Sequence, residues 1–244
     1  MRTFLKTTFI GLSFIAISCV SKKDTKLYES QFLTDSIYSK YLSEYRKHNI
    51  YLPKEFDKNK NYPIIYATDG DNDLGDMMNQ KKIFDSLIDH KIIKPLIFVA
   101  SYNNQKIADS TSMTLGNGEK VYLQYRNFEY VDRSDDTDDT LLRKRFSNHK
   151  LYFIEELISE FEQKYNQYID SNDRYFYGFS NGAGFGLSLL NSNPGIIGNF
   201  ICLSTFANGI QTYNWDKNRK YPNLYLRYGS EEPQFLKKDA EFLK

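Results

Sequence analysis

Cysteine is held to two positions and histidine to three in this 244-residue chain. Cys19 lies near the N-terminus, so Cys202 is the only thiol in the body of the chain and no intramolecular disulfide is expected. Net charge is nearly absent: 32 basic residues against 31 acidic ones leave +1, which provides no electrostatic footprint for a nucleic-acid partner. No apolar run is long enough to span a bilayer. Repeats and low-complexity tracts are also missing, so the body reads as one domain, and its length allows one substantial core.

What is present begins at the N-terminus. Arg2 and Lys6 precede a short apolar stretch at 7–17, the pattern of an export signal rather than a membrane span. Residues 1–18 are therefore expected to be a signal peptide, whose removal would take two positive charges and leave the formal charge near −1. Ala16-Ile17-Ser18-Cys19 resembles a bacterial lipobox, which implies a lipidated Cys19, a polar tether over 19–27 and a domain over 28–244. The expected location is the bacterial cell envelope, periplasmic or surface side, with the membrane reached through the lipid. Aromatics are abundant, at 20 Tyr and 18 Phe; they suit a sugar- or aryl-binding cleft, but their first expected use is in the core.

Short apolar runs alternate with helical patterns along the body. Strand-like runs lie between Tyr28 and Tyr51 and stop at Pro53, and Tyr62 to Gly70 reads as a buried strand closed by Asp69-Gly70. Helical spacing follows at Ile83, Phe84, Leu87 and Ile88, then a strand from Pro95 to Ala100. Residues 101–147 are polar and carry the acidic cluster Asp132, Asp135, Asp136, Asp138 and Asp139; a long irregular region over the active-site end is expected there. The cluster lacks the spacing of a calcium loop, and no metal or other cofactor is expected. Ile154, Leu157, Ile158, Phe161 and Tyr165 space as an amphipathic helix. Strands follow at Arg174–Tyr177, Asn199–Ser204 and Leu224–Tyr228, with a helix over Ala183–Leu190. The pattern predicts an α/β fold with a mostly parallel central sheet flanked by helices.

Gly178-Phe179-Ser180-Asn181-Gly182 joins one of these strands to that helix. A G-x-S-x-G sequence in this context is the nucleophile elbow of the α/β-hydrolase fold, a sharp turn that exposes the serine Oγ, so Ser180 is the expected nucleophile. The oxyanion of a tetrahedral intermediate needs backbone donors, and the N–H groups of Asn181 and Asp71 are nominated. Asp69 precedes the serine and does not fit the order serine, acid, histidine. The acid is expected after a later strand, at Glu232 or alternatively Glu231. His48, His90 and His149 all precede Ser180, and each is expected to be a surface or capping histidine, which leaves the serine without a general base.

Further segments narrow the reading. Tyr51-Leu52-Pro53, Tyr62-Pro63-Ile64-Ile65-Tyr66 with Asp69-Gly70, Arg126-Asn127-Phe128-Glu129-Tyr130, Glu156-Leu157-Ile158 and Arg174 to Gly184 together resemble the esterase family that includes enterochelin esterase, esterase D, and feruloyl and acetylxylan esterases. The resemblance runs from about Tyr28 to the end. It implies a serine–acid–histidine triad, carried here onto Ser180 and Glu232, and a small-molecule or glycan ester as substrate. In that family the histidine follows the acid. A last helix and strand with their loops need about 30 residues, whereas twelve follow Glu232. The chain is therefore expected to lack its C-terminal strand and helix, and the catalytic histidine with them. The expected function is carboxylic-ester hydrolysis through an acyl-enzyme on Ser180, weak or absent in the chain as written. A non-catalytic binding protein of the same fold, or an acyltransferase, is the alternative.

Overall fold

The computed structural model describes residues 28–71, 77–114, 118–206 and 210–243. Cys19, the expected signal segment and the tether lie outside the described residues. Among the described residues no helix is long and apolar enough to cross a membrane.

The chain opens with an antiparallel hairpin, β1 (Gln31–Ser39) and β2 (Glu44–Leu52), and β2 stops where Pro53 removes a backbone donor. β3 (Ile64–Ala67) leads to helix α1 (Met77–Asp89) and then β4 (Ile97–Ser101). Both strands are short apolar runs that burial on two faces favours. The polar region that follows departs from the expected irregular loop. It forms a second hairpin, β5 (Ile107–Thr114) and β6 (Lys120–Gln124), then short helices α2 (Tyr125–Tyr130) and α3 (Thr140–Arg143). β5 runs through Ser110-Thr111-Ser112, so hydrophobic periodicity gives little signal for it. Asp139 of the acidic cluster caps α3, its carboxylate accepting from the N–H groups of Leu141 and Leu142.

The amphipathic pattern near Ile154 belongs to one helical tract: α4 (Arg145–Leu151), a π-helical segment (Tyr152–Ile158) and α5 (Ser159–Lys164). β7 (Arg174–Phe179), α6 (Asn181–Ser192), β8 (Asn199–Leu203) and β9 (Asn223–Arg227) come next. Helix α7 (Gln234–Phe242) follows β9, an element not assigned from sequence.

The central sheet has the order β1-β2-β4-β3-β7-β8-β9, parallel except where β2 meets β1 and β4. One face carries the larger core, where Tyr66, Phe176 and Phe200 meet Phe153, Leu157 and Phe185 from the helical tract and α6. The other carries a small cluster around Tyr51, Phe98 and Ala100, covered by Phe84 and Ile88 of α1. From β3 the chain crosses to β4 on one side, and β7 lies on the other. The connections after β3 and β7 therefore part, and a crevice opens at their carboxyl ends, the usual ligand position in such a sheet.

Candidate active site

Ser180 stands in that crevice, between the end of β7 and the start of α6, with φ 53° and ψ −124°. A left-handed conformation is unfavourable for a residue with a Cβ and persists only when its surroundings hold it. Here the Ser180 N–H donates to the Leu203 carbonyl at 3.0 Å, while its own carbonyl accepts from the N–H groups of Gly184 and Phe206, each at 3.1 Å. The flanking glycines permit close approach. A Cβ on Gly178 would stand 2.7 Å from the Gly182 carbonyl, and one on Gly182 would stand 2.2 Å from Thr68 Oγ1. Ser180 is half-buried and lines a cleft of about 600 Å³ with Asn103, Gln105, Gln124, Arg126, Tyr177 and Phe179.

Asn181 is the first residue of α6, so its N–H has no acceptor within the helix and lies at the positive end of the helix dipole. Asp71 lies just beyond β3, at the same end of the sheet; its carboxylate accepts from the Asn103 N–H at 3.4 Å and from Gln105 Nε2 at 3.3 Å. The Gly70 N–H is engaged by the Ser101 carbonyl at 2.9 Å.

Glu232 lies in the turn before α7 and accepts a short hydrogen bond from Ser204 Oγ at the end of β8. Two residues beyond Ser204, the Phe206 N–H reaches the Ser180 carbonyl, so Glu232 is connected to the elbow through one turn. Its other oxygen, Oε2, is buried without a hydrogen-bond partner among the described residues. Glu231 is exposed and its Oε1 accepts from Ser230 Oγ at 3.2 Å. The structure thus places Glu232, and not Glu231, beside the turn that holds the serine.

The three histidines do not line the cleft. His90 caps the end of α1, its Nδ1 2.8 Å from the Ser86 carbonyl oxygen. His48 and His149 depart from the expected surface or capping roles: they are 2 % and 1 % exposed. His149 is enclosed by the rings of Phe185, Tyr130 and Tyr152 and has a backbone contact with Glu129. Burial and the nearby charges of Arg46 and Arg145 push its pKa well below the usual histidine value. Burial also lowers that of His48. His149 packs among aromatic rings brought from three separate segments, which sequence spacing does not report.

Sequence reasoning did not assign a role to Arg126. Its Nε and Nη2 grip the two oxygens of Asp69 at 2.7 and 3.0 Å, and Asn103 Nδ2 adds a bond to Asp69 at 2.7 Å. Asp69 itself is buried at φ 57°. Its carboxylate is thus held by three side-chain hydrogen bonds, two from Arg126 and one from Asn103. The pairing spans 57 residues of sequence, so only the Arg126–Tyr130 segment as a unit could have drawn notice.

No curated protein sequence matches the chain. Solved structures do. A CE1 ferulic acid esterase from Anaeromyces mucronatus is 20% identical, with a TM-score of 0.59 over 92% of this chain and 83% of that one. The BES protein from Bacillus cereus is 18% identical, with a TM-score of 0.61 over 98% and 84%. Another ferulic acid esterase, 19% identical with a TM-score of 0.52, is covered over 61% of its length by 73% of this chain. These likenesses show a shared α/β-hydrolase fold. Residues 39–243 match the model of the family described as "Putative esterase", and the chain belongs to that esterase family.

Proposed function

We propose that the protein is a serine carboxylic-ester hydrolase whose nucleophile is Ser180. The observation that carries this reading is the strained, left-handed serine held at the switch point of a parallel sheet, at the edge of a cleft and at a helix N-terminus. In the proposed reaction Ser180 Oγ attacks the ester carbonyl, and the oxyanion is held by the Asn181 and Asp71 N–H groups. Collapse expels the alcohol and leaves an acyl-enzyme, which water then hydrolyses. Glu232 is the proposed acid, with Oε2 available to orient a base. The Ser180 proton passes to the leaving alcohol, and His48 and His149, buried elsewhere, do not carry it. That same placement favours the second reading, a non-catalytic protein that binds esters in the cleft.

Tyr177 and Phe179 give the cleft an aromatic wall, and Asn103, Gln105 and Gln124 give it amides. Such a lining suits an aryl or sugar ester, and a structural relative has been solved with ferulic acid. Hydrolysis of p-nitrophenyl acetate and methyl ferulate by the wild type and Ser180→Ala tests the proposal. Loss of activity in the variant supports it, and equal rates refute the nucleophile role. We also propose export and lipid anchoring through Cys19 to the cell envelope, supported by the residues around it. Radiolabelled palmitate should enter the wild type and not Cys19→Ala.

A further inference from the structure

The cleft at Ser180 does not end at its own wall. Asn103 and Gln105 line it and also line a second groove, of about 730 Å³. That groove runs between the start of β2, with Tyr45 and Lys47, and the connection from β4 to β5 at residues 102–106. Alternation along β2 leaves Tyr45 and Lys47 exposed and Arg46 between them buried. The connection is held firmly to β2. The Tyr102 N–H donates to the Lys47 carbonyl at 2.9 Å, and the Tyr102 hydroxyl donates to Asn49 Oδ1 at 3.1 Å. Asn104 Oδ1 accepts from the Lys106 N–H at 3.1 Å, while Asn104 Nδ2 donates to Glu44 Oε2 at 3.2 Å. Walls fixed in this way meet a ligand without the cost of ordering them.

The charges of the groove are unevenly used. Glu44 accepts from Arg46 Nη1 at 2.8 Å and from Arg145 Nη2 at 2.6 Å, and both arginines also hold the buried Glu129 of α2, at 2.9 and 2.6 Å. Asp71 accepts from the Asn103 N–H and from Gln105 Nε2. The ammonium groups of Lys47 and Lys106, both exposed residues, make no ion pair among the described residues. With Glu44 balanced by Arg46, these two lysines outnumber the one remaining carboxylate of the lining, Asp71. We propose that the groove is a subsite for a carboxylate-bearing sugar of the ester substrate, with Lys47 and Lys106 selecting the charge and Tyr45 providing a ring for the sugar to rest on. The proposal rests on the serine-hydrolase reading above and gives its substrate a class, an ester on an acidic glycan. An ammonium is a compact point charge with three rotatable donors, which suits recognition of charge at an open groove. An exposed tyrosine offers an apolar body with a polar tip, which suits a sugar.

The test compares two trisaccharides of equal length, trigalacturonate and the neutral galactotriose. In calorimetric titrations at low salt the wild type should bind trigalacturonate more tightly, and the difference should shrink as sodium chloride is raised. Lys47→Gln/Lys106→Gln should lose about tenfold in affinity for trigalacturonate, the scale of two exposed charge contacts, and each single variant about threefold. The single variants decide should the double variant not fold. Lys58→Gln/Lys60→Gln, changed at exposed lysines outside the groove, should bind as the wild type does. Acetylated forms of the two sugars then connect the groove to the serine: the ratio of kcat/KM for the acidic over the neutral ester should fall by the same factor in the groove variants. Equal binding of the two sugars by the wild type, or as large a loss in Lys58→Gln/Lys60→Gln, overturns the proposal. An unchanged ratio of kcat/KM in the groove variants also overturns it, as does a wild type that hydrolyses p-nitrophenyl acetate but neither acetylated sugar; both outcomes leave the serine reading intact. A wild type that cleaves none of the three esters overturns the serine reading and this proposal with it.

Discussion

A methyl group added at Gly182 would lie 2.2 Å from Thr68 Oγ1, whereas one added at Gly195 meets nothing within 4 Å. Gly182→Ala is therefore expected to lose ~1–3 kcal/mol by overpacking, and Gly195→Ala to stay within about 0.5 kcal/mol of the wild type. Urea denaturation of both variants checks the contrast, and equal midpoints would refute the tight packing behind the elbow. His149 makes a different prediction. Its folded pKa is depressed, so below the ordinary value of 6.5 the unfolded chain takes up a proton that the folded chain does not. Stability should be indifferent to this group above about pH 7 and fall as the pH drops through 6.5 toward the folded pKa, by up to ~1.4 kcal/mol per pH unit. The charged and titratable groups around it are Arg46, Arg145, Glu44, Glu129, Tyr130 and Tyr152. His48 contributes in the same direction. His149→Phe should flatten the slope between 6.5 and about 5 without removing it; parallel slopes would contradict the assignment. At this scale the sharp turn at Ser180 is legible from sequence because the strand before it and the glycine-flanked helix start carry local signals. The burial of His149 and the grip of Arg126 on Asp69 are not, since both depend on partners far along the chain.

The anchoring of α2 depends on one carboxylate shared by two guanidinium groups. Removing it leaves Arg46 and Arg145 buried with Glu44 as the remaining acidic partner. Glu129→Ala is expected to cost ~3–5 kcal/mol, a fall in melting temperature of roughly 6–20 °C for a chain of this size. Thermal denaturation followed by circular dichroism measures it, and a shift of a degree or two would show that the cluster contributes little. The central strands were legible as elements because β3, β4 and β8 are dense apolar runs and β7 feeds the elbow directly. β5 and β6 were not: Ser110, Thr111 and Ser112 give neither apolar alternation nor a turn signal that periodicity can use. Helix α7 was missed because only a short stretch follows Glu232, too little for the helix and strand that the resemblance implied.

At the scale of the molecule, the described residues cover the two faces of the sheet unequally. The face opposite the larger core bears the row Tyr177, Ile201 and Tyr225 on β7, β8 and β9. Tyr225 is 55 % exposed, and beside the row lies a cavity of about 210 Å³ lined by Ile65, Phe84, Phe98, Tyr177 and Ile201. An apolar face of this kind next to an edge strand favours self-association. Tyr225→Lys should lower light scattering at high protein concentration and the fluorescence of a bound hydrophobic dye, with the melting temperature little changed. Unaltered scattering and dye binding would show that the face is not the adhesive surface. A parallel sheet was legible from the succession of strands and helices, but the crossing that puts β4 and β7 on opposite sides of β3 has no local signature.

The β5–β6 hairpin forms a sheet of its own and shares no ladder with the central seven strands. Its base is closed by the Tyr125 N–H on the Lys106 carbonyl at 2.9 Å and the Arg126 N–H on the Asn104 carbonyl at 2.8 Å, while Gln105 and Gln124 on either side of it face the cleft. The hairpin can therefore change in length or composition without altering the register of any central strand. Changes in this rim would therefore alter the lining of the cleft while the serine and its turn stay where they are.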